Sequence, residues 1–88
     1  MMKSIWEATL EDNVIRIENN WFAGEKLFVN EKLQDFQVNY FSSPILTGHL
    51  KNSEGNKLRI KANIIQEFFG LNCVLFIDDE QIPLKKVK

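Results

Sequence analysis

The sequence predicts an all-β fold: an internally duplicated antiparallel β-meander of about eight strands, forming a sandwich or a partly closed barrel. Two observations predict this fold class. Short segments alternate apolar and polar residues, which is the period of a half-buried strand. Groups rich in Asn, Asp, Ser and Gly separate these segments, and such residues are typical of turns.

A third observation is that the chain repeats itself. The sequence LFVNE returns as LFIDD 48 positions later, and two upstream segments return at offsets of 40 and 43. The echoes, in chain order, are 5–10 with 45–50, 14–17 with 57–60, and 27–31 with 75–79. Three matches in the same order predict an internal duplication. We therefore expect a single domain, 1–88, built from repeats 4–41 and 44–88.

The first repeat is predicted to hold four strands, each followed by a polar turn. The clearest is the first strand, in which Trp6, Ala8 and Leu10 alternate with Glu7 and Thr9. The predicted strands are residues 4–10, 14–19, 26–30 and 35–41.

The second repeat begins after Ser42-Ser43-Pro44, since proline cannot donate to a sheet ladder. It is predicted to follow the same order and to end in a short, lysine-rich strand or tail, whose charges suit an exposed sheet edge. The predicted segments are residues 45–50, 57–65, 68–78 and 82–88.

The stretch 61–69 admits a second interpretation. Ile64, Ile65, Phe68 and Phe69 have the spacing of an amphipathic helix that Gly70 would close, which would make the fold α+β. A long hairpin turning at residues 66–67 is preferred, because the first repeat has no helix-length segment at the equivalent place.

The alternation also predicts the core. The inward-facing side chains are expected to be Trp6, Leu10, Ile15, Ile17, Leu27, Val29, Phe36, Val38, Leu46, Leu50, Leu58, Ile60, Leu75 and Ile77. Phe28 and Phe76 then fall at matched positions on the opposite faces of their strands.

Composition narrows the classes of partner and compartment. Eleven basic and twelve acidic residues, with a pI near 5.8, leave no overall field to attract nucleic acid, and no apolar run approaches the roughly 20 residues of a membrane span. The N-terminus reaches Glu7 before any apolar run forms, so no secretory signal is expected. The single Cys73 fits a reducing compartment. We expect a soluble cytoplasmic protein.

The segments 24–32 and 70–81, with LRIKA at 58–62 before FFG at 68–70, are similar to the repeated hairpins of the Fas apoptotic inhibitory molecule family. Glu31 and Asp79 stand where that family usually has a glycine after the turn Asp. The resemblance implies a non-enzymatic β-sandwich that works through protein contacts. It carries over no functional residue.

Candidate catalytic chemistry is sparse. Cys73 lies in an apolar string that would raise its pKa, and is expected to be a buried structural residue rather than the nucleophile of a pair with His49. One Cys and one His cannot supply the four protein ligands of a structural zinc site. The acidic run 78–80 contains no glycine and is expected to be a solvated turn rather than a calcium loop. We expect no metal, no cofactor and no enzymatic activity.

The aromatic residues give the better functional hypothesis. Trp21 and Phe22 occupy a loop where no alternation requires them, and either form an exposed apolar patch with other phenylalanines or fold back to cap the sandwich. The expected partner surface is Trp21, Phe22, Phe28, Phe68 and Phe76. We expect a protein-interaction or self-assembly module, a homodimer through Phe28 or Phe76 being the simplest form. The alternative is a small-ligand or carbohydrate-binding module that uses Trp21 and Phe22.

Overall fold

The computed structural model describes residues 3–20, 23–38 and 45–88, and the described residues form strands and turns without a helix. The predicted strands are present, with ends that differ by a few residues. The strands are β1 (Lys3–Leu10), β2 (Asn13–Asn20), β3 (Gly24–Val29), β4 (Lys32–Gln37), β5 (Ile45–Lys51), β6 (Lys57–Glu67), β7 (Gly70–Ile77), β8 (Glu80–Ile82) and β9 (Lys85–Lys86).

The strands divide into two antiparallel sheets. The first sheet has the order β4-β3-β2-β1-β9, and the second has the order β5-β6-β7-β8. The predicted meanders and the two-sheet sandwich are therefore confirmed. The predicted C-terminal strand differs from expectation, because the chain leaves the second sheet after Ile82 and pairs Lys85 and Lys86 with Glu7 and Trp6 of β1.

The core lies between the sheets and is made of alternate residues from each strand. Among its members, Ile15, Ile17, Leu27, Leu46 and Leu75 are completely buried. Leu10 and Leu58 are only partly buried and pack against the cluster. Most of the predicted core is confirmed, because the period of two assigns each strand one inward face.

The prediction that Phe36 and Val38 lie in the core is wrong, because each is 48% exposed. A register shift between Leu27 and Phe28 marks a bulge in the pairing of β3 with β4. Phe36 pairs with Lys26, which faces outward. The polar residues of β4 instead contact β5. The alternation rule assumes that the apolar face of a strand is the buried one, so it does not predict this arrangement.

The β6–β7 hairpin replaces the alternative helix over residues 61–69, so the α+β interpretation is wrong. Eight cross-strand pairs run from Ile60 with Ile77 to Glu67 with Gly70. The turn is Phe68–Phe69, two residues later than predicted, and Gly70 follows it with a φ of 149°. A positive φ of this kind favours glycine, which fixes the position of the turn.

Two hairpin turns share one backbone geometry. Asn30 and Glu31 join β3 to β4 with φ values of 51° and 69°, and Asp78 and Asp79 join β7 to β8 with 49° and 66°. Two successive residues with positive φ are typical of a type I′ turn. In each case the first residue also bonds to the neighbouring strand.

The bonds made by these two turns correspond atom by atom. The amide of Val14 donates to Oδ1 of Asn30, and the amide of Asn30 donates to the Val14 carbonyl, both at 2.9 Å. The amide of Arg59 donates to Oδ1 of Asp78, and the amide of Asp78 donates to the Arg59 carbonyl, again at 2.9 Å. The predicted turns over 30–32 and 78–80 are thus present and locked to the adjacent strand.

Candidate functional site

The residues predicted to form one partner surface lie in separate places. Phe28 is half-buried on the outer face of the first sheet, and Phe76 is half-buried on the outer face of the second. Because the core lies between the sheets, these faces point in opposite directions. Phe68 lies in the β6–β7 turn. Phe28, Phe68 and Phe76 therefore lie in three separate places, and the partner surface stays a prediction. Trp21 and Phe22 lie outside the described residues.

The β6–β7 turn is the most exposed apolar feature of the described chain. Phe68 is 93% exposed and Phe69 is 95% exposed. Their rings contact each other edge to face, with centroids 4.8 Å apart and an interplanar angle of 77°. The site prediction omitted Phe69, because the turn was placed at residues 66–67. A turn prediction centred two residues later would have included it.

A second apolar patch includes Phe28 on the outer face of the first sheet, where Arg16 is its cross-strand partner on the β2 side. Val14, Leu33 and Phe36 are exposed by 44%, 53% and 48%. Leu33 is the cross-strand partner of Phe28, and the ammonium of Lys26 lies 5.7 Å from the centroid of the Phe36 ring. A lysine this close to an aromatic ring is attracted to its face. The patch is thus apolar at its centre and flanked by charges.

The outer face around Phe76 is more polar. A shallow depression of about 120 Å³ is lined by Phe76, His49, Arg59, Lys61 and Asp79, among others. Arg59 and Asp79 form an exposed ion pair with atoms 3.6 Å apart, and such pairs contribute little. Small-molecule pockets usually enclose roughly 300–1,000 Å³. This depression is small by that measure.

The edge strand β5 is capped by side chains that reach across from the first sheet. Gln34 Nε2 donates to the His49 carbonyl at 2.8 Å, and the His49 amide donates to Gln34 Oε1 at 2.6 Å. The remaining bonds are from the Thr47 amide to Asp35 Oδ2 (2.8 Å), from Gln37 Nε2 to the Ile45 carbonyl (2.7 Å) and from Asn13 Nδ2 to the Lys51 carbonyl (2.9 Å). Backbone groups that would otherwise face solvent along this edge are therefore occupied.

Cys73 and His49 are not brought together. Cys73 is a free thiol, 6% exposed within the core, and burial raises its pKa to about 12. His49 is exposed on β5. The prediction that Cys73 is buried is confirmed.

One polar pair is buried at the end of the first sheet. Asn19 and Glu25 are 5% and 7% exposed, and Asn19 Nδ2 donates to Glu25 Oε1 at 2.9 Å. Asn19 Oδ1 and Glu25 Oε2 have no hydrogen-bond partner among the described residues. Burial raises the pKa of the Glu25 carboxyl, and the bond from Asn19 lowers it in part. Burying a carboxylate with one free oxygen destabilises the fold when the group is charged.

The part of the chain that the structure describes shows neither a metal-binding cluster nor a membrane-spanning helix. Within residues 3–20, 23–38 and 45–88, no three His, Cys, Asp or Glu side chains are grouped to hold a metal ion. Across the same ranges, no helix is long and apolar enough to cross a bilayer.

Comparison with known proteins adds no relative. No family model, no curated protein and no solved structure matches this chain.

Proposed function

We propose that this chain is a non-catalytic, internally duplicated β-sandwich that works as a protein-interaction or self-assembly module. The observation that carries the proposal is the turn Phe68–Phe69, whose rings are 93% and 95% exposed. Turns normally carry Gly, Pro, Asn, Asp or Ser. Burying a phenylalanine side chain contributes about 1.5–3 kcal/mol, so a protein surface that covers both rings would gain a large part of its binding energy from them.

The patch around Phe28 is a second support for an interaction role. Phe28, Val14, Leu33 and Phe36 share one outer face, where a solvated sheet would usually carry polar residues. Exposed apolar groups that lie together are typical of partner surfaces.

The register of the two sheets supports the duplication. In the first sheet Trp6 pairs with Ile17, and Ile17 with Leu27. In the second sheet Leu46 pairs with Ala62, and Ala62 with Leu75. These rows correspond at offsets of 40, 45 and 48, so Ile60 rather than Leu58 occupies the place of Ile15.

The cytoplasm remains the proposed location, in keeping with the single free thiol of Cys73.

The test replaces Phe68 and Phe69 together with serine. If the rings serve a partner, the variant keeps the free energy of unfolding of the monomer within about 0.5 kcal/mol, as surface substitutions usually do. Sedimentation should then show that the wild-type mass rises with concentration and that the mass of the variant does not. Two results together would contradict the proposal. The variant would unfold at much lower denaturant concentration, and the wild-type protein would be monomeric at high micromolar concentration. The rings would then be covered within the chain.

A further inference from the structure

On the side of the second sheet away from β5, part of β7 has no paired strand among the described residues. The β5 edge is capped by the side chains of β4 described above. On the opposite side, β8 pairs only with Leu75, Phe76 and Ile77. The preceding part of β7, residues 70–74, has a strand on its β6 side alone. An open strand edge is a template for another strand.

The alternation of hydrogen bonds identifies which groups of this edge face outward. A two-residue turn makes Glu67 and Gly70 a hydrogen-bonded pair, so Asn72 and Val74 also bond to β6. The peptide groups of Leu71 and Cys73 therefore face away from β6. The Cys73 amide donates to Oδ1 of Asn72 at 2.9 Å, a local bond that occupies this outward donor in the single chain.

Charge favours a second copy of this chain as the partner strand. The ten residues from Phe68 to Ile77 include no charged side chain. Like charges opposite each other destabilise a strand pair, and this edge carries none to repel its own copy. It also lacks the cations that would attract an anionic membrane surface or nucleic acid.

We propose that two copies pair antiparallel through β7, with the two-fold axis at Asn72. This inference rests on the proposed self-assembly function. Leu71 of each copy then forms a hydrogen-bonded pair with Cys73 of the other, and the carbonyl of Leu71 replaces Asn72 Oδ1 as the acceptor for the Cys73 amide. The paired stretch, residues 70–74, ends where β8 begins to cover the edge at Leu75.

The same pairing covers the exposed turn. It brings Phe68 and Phe69 of each copy against the end of β8 in the other, where Ile82 and Pro83 lie. An aromatic side chain buries about 150–250 Å², so four rings supply roughly 600–1,000 Å². Stable specific interfaces bury about 1,200–2,000 Å² in total, and the paired backbone adds to the rings. We therefore expect the dimer to form at micromolar protein concentration.

The decisive test is a cysteine at the proposed axis. In an antiparallel pair without hydrogen bonds between the opposed residues, the Cα atoms lie about 4.5 Å apart, within the roughly 4.4–6.8 Å of disulfides. N72C should therefore form a covalent dimer under mild oxidation. T47C, an exposed position on the same outer face, and the wild type with its buried Cys73 are the controls and should not. Equal cross-linking of N72C and T47C, or none, would overturn the β7 pairing.

A second pair of variants separates failure of this pairing from failure of the proposed function. Replacing Phe68 and Phe69 with lysine should abolish the concentration-dependent mass, whereas Ile45→Lys, an exposed apolar position on β5 outside both proposed surfaces, should leave it unchanged. Phe36→Lys tests the patch around Phe28 as the alternative interface. If Phe36→Lys abolishes association and the turn variant does not, the β7 pairing is wrong while self-assembly stands. If the wild type never associates, self-assembly itself is wrong.

Discussion

The side chain of Gln34 holds both backbone groups of His49, accepting from its amide at 2.6 Å and donating to its carbonyl at 2.8 Å. A primary amide matches a peptide group in donor and acceptor, so Gln34 acts at this position as a neighbouring strand would. Asp35 and Gln37 continue the row along β5. The seam between the two sheets is thus closed by side chains, whereas residues 70–74 of β7 have a strand on one side only.

Gln34→Ala should lower the free energy of unfolding by about 1 kcal/mol and increase aggregation. The variant loses two hydrogen bonds and opens the β5 edge to pairing with other molecules. Denaturant unfolding and light scattering measure the two effects. Gln81→Ala, an exposed glutamine on edge strand β8, is the matched control and should change neither. Equal effects of the two variants would mean that the Gln34 hydrogen bonds neither stabilise the fold nor protect the β5 edge from aggregation.

Glu31→Gly and Asp79→Gly should each stabilise the protein, by a few tenths to about 1 kcal/mol. Both residues hold positive φ at the second position of their turns, where glycine avoids the cost that a Cβ atom imposes. The substitutions create Asn-Gly and Asp-Gly, the pairs that type I′ turns prefer. Thermal melts measure the gain. Asp12→Gly, in a turn where only Glu11 has positive φ, should give no gain.

Leu75→Ala should cost more stability than Phe76→Ala. Leu75 is completely buried, and truncating a buried leucine to alanine costs about 2–5 kcal/mol. Phe76 is half-buried on the outer face and can lose its ring with less effect. Denaturant melts at low protein concentration compare the monomers. A larger loss for Phe76→Ala would mean that the outer face is covered within the chain.

Glu25→Gln should stabilise the protein at neutral pH, with a gain that shrinks in acid. Burial raises the pKa of Glu25 in the folded state, so the folded chain binds this proton more tightly than the unfolded chain. The resulting stability is present below the unfolded pKa and is lost as the pH rises through the folded pKa. Glutamine can still accept from Asn19. Denaturant unfolding of the variant and the wild type at neutral and at acidic pH tests this, with Glu54→Gln as the exposed control. A lower free energy of unfolding of Glu25→Gln at neutral pH would contradict the prediction.

Much of the sandwich could be predicted from local sequence. Each of β1, β2, β3 and β7 has an apolar alternation that ends at a polar turn, and residues such as Ile15, Leu27 and Leu75 fall in the core where that alternation places them. The signal is strong in these strands because one side of each faces the opposite sheet.

The remaining features depend on contacts that are distant in sequence. Phe36 has the alternation of a core residue, yet β4 turns Asp35 and Gln37 toward the backbone of β5. The β6–β7 turn was misplaced because Phe68 and Phe69 are not turn-forming residues. The preferences of turn residues therefore fail at Phe68 and Phe69, and this is also the place where we propose an interaction.

The most direct measurement of the proposed assembly is amide hydrogen exchange at Leu71 and Asn72 as the protein concentration is raised. The Asn72 amide bonds to β6 within the chain, whereas the Leu71 amide faces the open edge of β7. We predict that Asn72 is protected at every concentration and that Leu71 exchanges freely when dilute and becomes protected as the dimer forms. Free exchange of Leu71 at high micromolar concentration, or its full protection in dilute monomer, would contradict pairing of two copies through this strand.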